Sequence, residues 1–124
     1  MNYLLIKNGC LFNSPKKENT DILIRGKTIV RIGKIKTADE NYQILDASGR
    51  IVAPGFIDVH IQGAGGASIL DANRSALETI SRTLARLGTT SFLATTVFKP
   101  DSKNLPVTVA AENTGHGLGG ANLL

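Results

Sequence analysis

The residues best suited to chemistry lie between Val52 and Gly66, where an alternating apolar and polar stretch leads into a glycine-rich segment. Side chains alternate between the two faces of a β-strand, so Asp58, His60 and Gln62 share one face. The other face is wholly aliphatic and requires a covering layer of helices. An imidazole at a strand end can bind a metal ion, and a carboxylate beside it can orient a ligand. The stretch therefore predicts a buried strand that ends at an active-site rim.

A complete metal site needs more donors than this stretch offers. A catalytic zinc ion usually has three protein ligands and an open position for water. The whole chain contains two histidines and one cysteine, and the second histidine, His116, lies in a glycine-rich loop. Gln62 is a neutral, weak ligand where a histidine would complete a His-x-His pair. Taken alone, the residues favour a structural role for His60 and for Asp58 over a role at a metal.

Three glycines follow the strand and suggest a ligand-binding rim. Gly63, Gly65 and Gly66 could let a phosphate approach the backbone amides. The pattern is neither a Walker loop nor a dinucleotide fingerprint, because no Gly-x-Gly-x-x-Gly leads directly into a helix. We expect these glycines to form the active-site rim together with Gln62. No side chain of the chain is assigned as a catalytic residue.

Residues 1–53 predict a small β-sandwich-like domain, because short alternating segments are separated by turn signals. Strands are expected at residues 3–7, 21–25, 28–32 and 42–45. Asn8-Gly9 predicts a turn that leads to a further short strand, and Gly26-Lys27 predicts a two-residue hairpin turn. Pro54-Gly55 marks the boundary with the remainder of the chain.

Residues 54–124 alternate between strand and helix signals. Ser75 and Glu78 fit a capping box that opens a helix, and Gly88 fits its end. The apolar stripe of this helix comprises Leu77, Ile80, Leu84 and Leu87. A second strand is expected at 90–98, a weaker helix from 106 to about 113, and a third strand from 121. This order predicts parallel strands joined by right-handed crossovers, a partial (β/α) barrel of two to three strands.

Composition narrows the class of protein. The formal charge of +4 is concentrated in the first fifty residues, with a basic run from Arg25 to Lys36. Few aromatic residues accompany that run, so we expect a solvated hairpin face and no nucleic-acid partner. No segment approaches the roughly 18 apolar residues of a membrane span, and no signal peptide is recognised. With a single cysteine, Cys10, the chain is expected to be a soluble cytoplasmic protein.

The segment Pro54-Gly-Phe-Ile-Asp-Val-His60 resembles the first barrel strand of the amidohydrolase superfamily, whose hallmark is Pro-Gly-Phe-x-Asp-x-His-x-His. Gln62-Gly-Ala-Gly-Gly66 and the segment Leu84–Thr96 are more specific, and they resemble the N-acetylglucosamine-6-phosphate deacetylase family. The hairpins before them resemble the small β-domain that these enzymes assemble from both chain ends. The resemblance extends over essentially all 124 residues.

The resemblance implies a distorted α/β barrel that removes acetate from N-acetylglucosamine 6-phosphate. In the family a divalent metal, zinc or iron, activates water and polarises the amide carbonyl, while an aspartate late in the barrel shuttles the proton. The family motif maps His60 onto the metal position of the first strand. Gln62 departs from the His-x-His pattern, which favours a single metal held by later residues. A sugar-phosphate substrate and a homo-oligomer are the partners implied.

Length limits what the chain is expected to do alone. A closed eight-stranded α/β barrel needs roughly 200 residues or more, and this chain has 124. The sequence therefore predicts the N-terminal part of a metal-dependent amidohydrolase, inactive without the remainder. The alternative is a non-catalytic module that assembles with itself or with a partner through its unpaired strand edges.

Overall fold

The computed structural model describes residues 3–15, 18–36, 42–100 and 103–124. Contacts divide the chain into two units, Met1–Pro54 and Gly55–Leu124. None of the helices in the described ranges has the length and apolar character that crossing a membrane requires.

The first unit is a β-sheet built on a hairpin. The sheet contains β1 (Tyr3–Leu11), β2 (Asn19–Arg25), β3 (Thr28–Gly33), β4 (Tyr42–Asp46) and β5 (Ile51–Val52). Their order is β3-β2-β1-β4, with β5 also paired to β1. The predicted hairpin turn at Gly26-Lys27 is confirmed, since Arg25 pairs with Thr28 across it. Both β4 and β5 run parallel to β1, which the alternating pattern alone does not predict.

The turn predicted at Asn8-Gly9 is wrong, because both residues lie inside the continuous strand β1. The register between β1 and β2 shifts between Ile6 and Gly9, which places an extra residue in β1 as a β-bulge. Asn8 adopts a positive φ of 60° there. A Cβ on Gly9 would lie 2.4 Å from Cγ2 of Val52, so only glycine fits. The turn-forming dipeptide thus serves a bulge instead of a reversal.

Asp21 fixes this bulge to the end of the hairpin. Its side chain is buried, and its two oxygens accept hydrogen bonds from the backbone N–H groups of Asn8 (3.0 Å) and Ile35 (2.9 Å). Burial alone would raise the pKa of Asp21, but these two donors, with Lys7 and Lys34 nearby, hold the pKa below its usual value. The ionised carboxylate therefore stabilises the folded state of the first unit.

We expect Asp21→Asn to lower the free energy of unfolding of the first unit by about 1–3 kcal/mol at neutral pH, because the amide leaves one buried N–H without an acceptor. A folded-state pKa below the unfolded value means that the contribution is present above the ordinary aspartate pKa of 3.8 and is lost as pH falls through the lower folded-state pKa. The difference between wild type and variant should therefore shrink on acidification. Urea unfolding at pH 7 and pH 3 tests this; a difference that grows at low pH contradicts it.

The second unit alternates strands and helices, as predicted. It contains β6 (Phe56–Ile61), β7 (Gly63–Ala64), β8 (Ala67–Ser68), a 3₁₀ turn (Ile69–Asp71), α1 (Arg74–Arg86), β9 (Thr89–Ala94), α2 (Leu105–Asn113) and β10 (Asn122–Leu123). The strands β6, β9 and β10 are parallel, in the order β10-β9-β6. The α/β class and the partial barrel of parallel strands are therefore confirmed.

The core of this unit joins α1 to the sheet. The fully or almost fully buried apolar residues are Ile69, Leu77, Ile80, Leu84, Phe92, Leu118, Ala121 and Leu123. The predicted helix stripe is confirmed for its first three members, but Leu87 is 73% exposed. Leu87 is the C-cap, and Gly88 with a φ of 88° ends the helix as expected. Leu87 thus lies just beyond the face that packs on the sheet.

The predicted strand 90–98 is too long, since β9 ends at Ala94. The backbone N–H of Thr95 donates to the carbonyl of Ile61 at 2.8 Å, and β6 itself ends at Ile61. Beyond that bond β9 has no strand on this side with which to pair. The helix expected near 106–113 and the third strand after Ala121 are confirmed as α2 and β10.

The predicted capping box at Ser75 is wrong, because the helix begins earlier. Asn73 is the N-cap of α1, and its side-chain oxygen accepts from the backbone N–H of Ala76 at 2.9 Å. Ser75 lies one residue inside the helix and is exposed. Asparagine is as good an N-cap as serine, so the helix can begin two residues before Ser75, at a cap that the capping-box pattern does not identify.

Asn73→Ala should lower the free energy of unfolding of the second unit by about 1 kcal/mol, because the N–H of Ala76 loses its acceptor. Ser75→Ala is the matched control on the same helix turn and should change stability by less than about 0.5 kcal/mol. Chemical denaturation of both variants measures the effect. A larger loss for Ser75→Ala than for Asn73→Ala would assign the cap to the serine.

Candidate active-site rim

The strand that carries His60 is not buried, which corrects the prediction for this stretch. Phe56 is 73% exposed and Val59 is 66% exposed, His60 is exposed and Asp58 is half-buried. In the described residues β6 lies at the end of its sheet and pairs only with β9. Ile61, the last residue of β6, packs against the core to which α1 contributes. The remaining side chains of β6 have no covering layer there.

The carboxylate of Asp58 is engaged on its own strand. Its Oδ1 accepts a hydrogen bond of 3.0 Å from the backbone N–H of His60. The β6–β9 register shifts between Asp58 and Ile61, so this part of β6 bulges relative to its neighbour. The contact holds the Asp58 carboxylate against the backbone of its own strand, next to His60. Both predicted roles of Asp58, the structural one and the orientation of a ligand, stay predictions.

The rim glycines have packing reasons of their own. Gly63 and Gly66 belong to a hairpin formed by β7 and β8, which sequence reasoning treats only as a loop. A Cβ on Gly63 would lie 2.4 Å from the carbonyl oxygen of Ala67, and one on Gly65 would lie 2.3 Å from Oγ1 of Thr83 in α1. Gly65 and Gly66 also have positive φ angles of 64° and 83°. The hairpin therefore needs these glycines whether or not a phosphate approaches them.

A capping box that sequence reasoning missed connects this hairpin to the helix. Ser68 Oγ accepts from the N–H of Leu70 at 3.1 Å, and Asp71 Oδ2 accepts from the N–H of Ser68 at 2.8 Å. The N–H of Ile69 donates to the carbonyl of Gln62 at 2.8 Å. The Ser-x-x-Asp spacing is the signal that could have identified it. These bonds fix the backbone that follows the end of β6.

A cavity of about 410 Å³ lies beyond the carboxyl end of β9. It is lined by Leu70, Ala72, Val97, Lys99, Lys103, Asn104, Leu105 and Pro106. Sequence reasoning did not select these residues; the signal was two lysines in the segment that follows a strand. The side chain of Asn104 accepts from the N–H of Lys99 at 2.9 Å and donates to its carbonyl at 3.1 Å. These two bonds hold Asn104 next to the backbone of Lys99.

The donors present do not complete a metal site. Across the described ranges, no group of three His, Cys, Asp or Glu side chains is close enough to hold a metal ion. His116 lies after α2, where its backbone N–H donates to the carbonyl of Asn113 at 3.1 Å. This part of the protein therefore offers His60 as a single imidazole near a strand end, which is fewer donors than a catalytic metal ion requires.

The chain was compared with known protein families, sequences and solved structures. No family model matches the chain. It is 36% identical over 111 residues to the dihydroorotase of Bacillus subtilis, covering 87% of this chain and 23% of that protein. It is 40% identical over 72 residues to the N-acetylglucosamine-6-phosphate deacetylase of Vibrio furnissii, covering 57% of this chain and 18% of that protein. The chain thus spans less than a quarter of the length of these curated relatives.

Among solved structures, the N-acetylglucosamine-6-phosphate deacetylase of Pasteurella multocida superimposes with a TM-score of 0.77 at 26% identity. The match covers 96% of this chain and 32% of that one. Both units of the described structure therefore have counterparts in one larger chain. The resemblance carried by the segment from Pro54 to His60 is confirmed, and the chain belongs to the amidohydrolase superfamily, with the fold of the N-terminal part of an N-acetylglucosamine-6-phosphate deacetylase-like member.

Proposed function

We propose that this chain is the N-terminal part of a metal-dependent amidohydrolase that removes acetate from N-acetylglucosamine 6-phosphate. The observation that supports this is the superposition of nearly the whole chain on a deacetylase of that specificity. In this proposal residues 1–53 belong to a small β-domain and residues 54–124 to an incomplete barrel. The sugar phosphate and the single cysteine suit a cytoplasmic protein.

The proposal gives His60 the role of a metal ligand. Its side chain is exposed at the carboxyl end of a parallel strand, the end at which barrel enzymes carry their active sites. Gln62, Gly63, Gly65 and Gly66 would form the rim beside it, and Asp58 would hold the backbone of His60 in place. A divalent ion, zinc or iron, would supply the Lewis acid for amide hydrolysis.

We expect residues 1–124 alone to be inactive. One imidazole is fewer than the three protein ligands that a catalytic zinc usually has, and the described residues form no group of three His, Cys, Asp or Glu side chains that could hold a metal ion. The chain would therefore contribute one ligand and the rim, while the other ligands and the proton shuttle would come from elsewhere in the longer protein.

A second candidate reaction is the hydrolysis of a cyclic amide. The observation that favours it is the match to dihydroorotase, which covers more of this chain than the match to the Vibrio furnissii deacetylase does. The same superfamily strand motif, from Pro54 to His60, serves both reactions, so the motif does not separate them. The structural superposition makes deacetylation our first choice.

The test begins with the native product. An antibody against residues 1–124 captures the native product from its own cells, and the intact mass of the captured protein is measured. The captured protein is then assayed for acetate release from N-acetylglucosamine 6-phosphate. We expect a product several times larger than 13.1 kDa whose activity is lost with a chelator and restored with zinc. Ring opening of dihydroorotate without acetate release would favour the second candidate. A native mass of 13.1 kDa without activity would favour a non-catalytic module.

A further inference from the structure

We propose that Ser68 is a positioning residue of the candidate rim, because the capping box that it forms holds Gln62 in place at the end of β6. Gln62 directly follows β6 and lies two residues after His60. Ser68 acts through Gln62 and is given no contact with the substrate. The inference rests on the proposed function, since a rim needs a fixed position only where a substrate lies against it.

The carbonyl of Gln62 is the point at which the chain after the hairpin returns to β6. The N–H of Ile69 donates to this oxygen at 2.8 Å, and the hydroxyl of Ser68 donates to it at 3.3 Å. The first distance is ordinary for a hydrogen bond and the second is long for a hydroxyl donor, so the bond from Ile69 is the stronger. Together they fix the backbone of Gln62, while its side chain stays exposed.

The direction of the Ile69 N–H depends on Ser68. Ile69 is the first residue of the 3₁₀ turn, and Ser68 is its N-cap. Ser68 Oγ accepts from the N–H of Leu70 at 3.1 Å, and Asp71 Oδ2 accepts from the N–H of Ser68 at 2.8 Å. The first N–H groups of a helical turn have no partner inside it. Without the Ser68 hydroxyl, the turn therefore loses the bond that orients its first residues towards Gln62.

The hairpin between Gln62 and Ser68 transmits this hold along the rim. Ser68 pairs with Gly63, the residue after Gln62. At the tip, Gly65 lies so close to Thr83 of α1 that a Cβ would collide with the threonine hydroxyl. The hairpin is thus packed on α1 at its tip and bonded to the end of β6 at its base. A shift of Ser68 has to change the position of Gln62, because the hairpin has no room to move towards α1.

In the full-length native protein, Ser68→Ala is expected to raise KM for N-acetylglucosamine 6-phosphate about three- to tenfold, because a displaced rim fits the bound substrate less well. A loss of folded protein alone would lower the apparent kcat and leave KM unchanged, so KM separates positioning from stability. Ser68→Thr keeps a capping hydroxyl and should restore KM to within about twofold of wild type. Ser75→Ala is the matched control: it removes an exposed hydroxyl from the first turn of α1 and should leave KM unchanged.

A second measurement does not depend on activity. In the chain of 124 residues, Ser68→Ala should accelerate hydrogen exchange of the Ile69 amide about tenfold, because the turn that directs this N–H to Gln62 opens more readily. The amide of Leu84, a buried residue of α1, should keep its protection. Ser68→Thr should keep the protection of both amides.

Three outcomes would overturn the inference: an unchanged KM in an active Ser68→Ala protein, unchanged exchange at Ile69, or a Ser68→Thr protein that behaves like Ser68→Ala. The first of these leaves the proposed function intact, because the wild type still releases acetate. A wild-type protein that releases no acetate refutes the proposed function instead. The hold of Ser68 on Gln62 is then decided by the exchange of the Ile69 amide alone.

Discussion

Phe92→Ala is expected to lower the free energy of unfolding of the Gly55–Leu124 unit by about 3–5 kcal/mol. Phe92 has no solvent exposure and lies in β9, the central strand of the parallel sheet. It belongs to the cluster in which Leu77, Ile80 and Leu84 of α1 pack on that sheet. Removing the ring loses its transfer free energy and leaves a cavity in the core between α1 and the sheet. A loss of this size approaches the whole stability of a small domain.

The measurement is urea unfolding followed by far-UV circular dichroism, with hydrogen exchange of the β9 amides to separate the two units. Phe98→Ala provides the matched control, because the ring of Phe98 is 72% exposed and its loss should cost less than about 0.5 kcal/mol. In Phe92→Ala the amides of β2 should keep their protection. Equal effects of the two substitutions would contradict the core described for the second unit.

Local sequence signals predicted the positions of the helices and strands better than they predicted which strands pair with each other. The stripe of α1 and the hairpin at Gly26-Lys27 depend on neighbours within a few residues, and both are confirmed. The parallel pairing of β4 with β1 depends on residues almost forty positions apart, and alternation carries no information about it. Asn8-Gly9 shows a further limit, because the same dipeptide chemistry suits a turn and a bulge.

The error about β6 has a related cause. Ile57 and Val59 predict a covered face, and apolar alternation states only that such a face needs cover, not that the cover lies in the same 124 residues. Both residues are more than half exposed in the described structure. The chain spans 32% of the deacetylase on which it superimposes. The exposed aliphatic face of β6 is thus explained as part of a barrel only by comparison with the larger relatives.

The strand that carries His60 was predictable from the motif, whereas its geometry was not, and the roles of the site residues stay predictions. Strand β6 ends at Ile61, one residue before Gln62, which the alternating pattern places on the same strand. The motif did not reveal that Asp58 bonds the backbone of His60, since that contact depends on a local shift in the strand register. The cavity with Lys99 and Lys103 was missed because two lysines after a strand usually mark only a solvated loop.

Under the proposed function, His60→Ala in the full-length native protein is expected to lower kcat/KM for acetate release at least about 100-fold. Loss of a residue that merely supports a metal ligand typically costs 10- to 100-fold, and loss of the ligand itself should cost no less. His60 is exposed in the chain of 124 residues, so in that chain its replacement should leave the free energy of unfolding within about 0.5 kcal/mol of wild type. A large kinetic loss without a stability loss is what separates a metal ligand from a structural histidine.

His116→Ala is the matched control, since it removes the other imidazole of the chain from an exposed loop and should change kcat/KM less than about twofold. Metal content is the second readout: the metal bound per protein should fall for His60→Ala and stay unchanged for His116→Ala. Full activity and full metal content in His60→Ala would remove His60 from the metal site. The other side chain predicted at this strand end, Gln62, is a neutral and weak ligand. The strong metal ligands would then have to come from other residues, and this strand end would contribute only the rim and the fold.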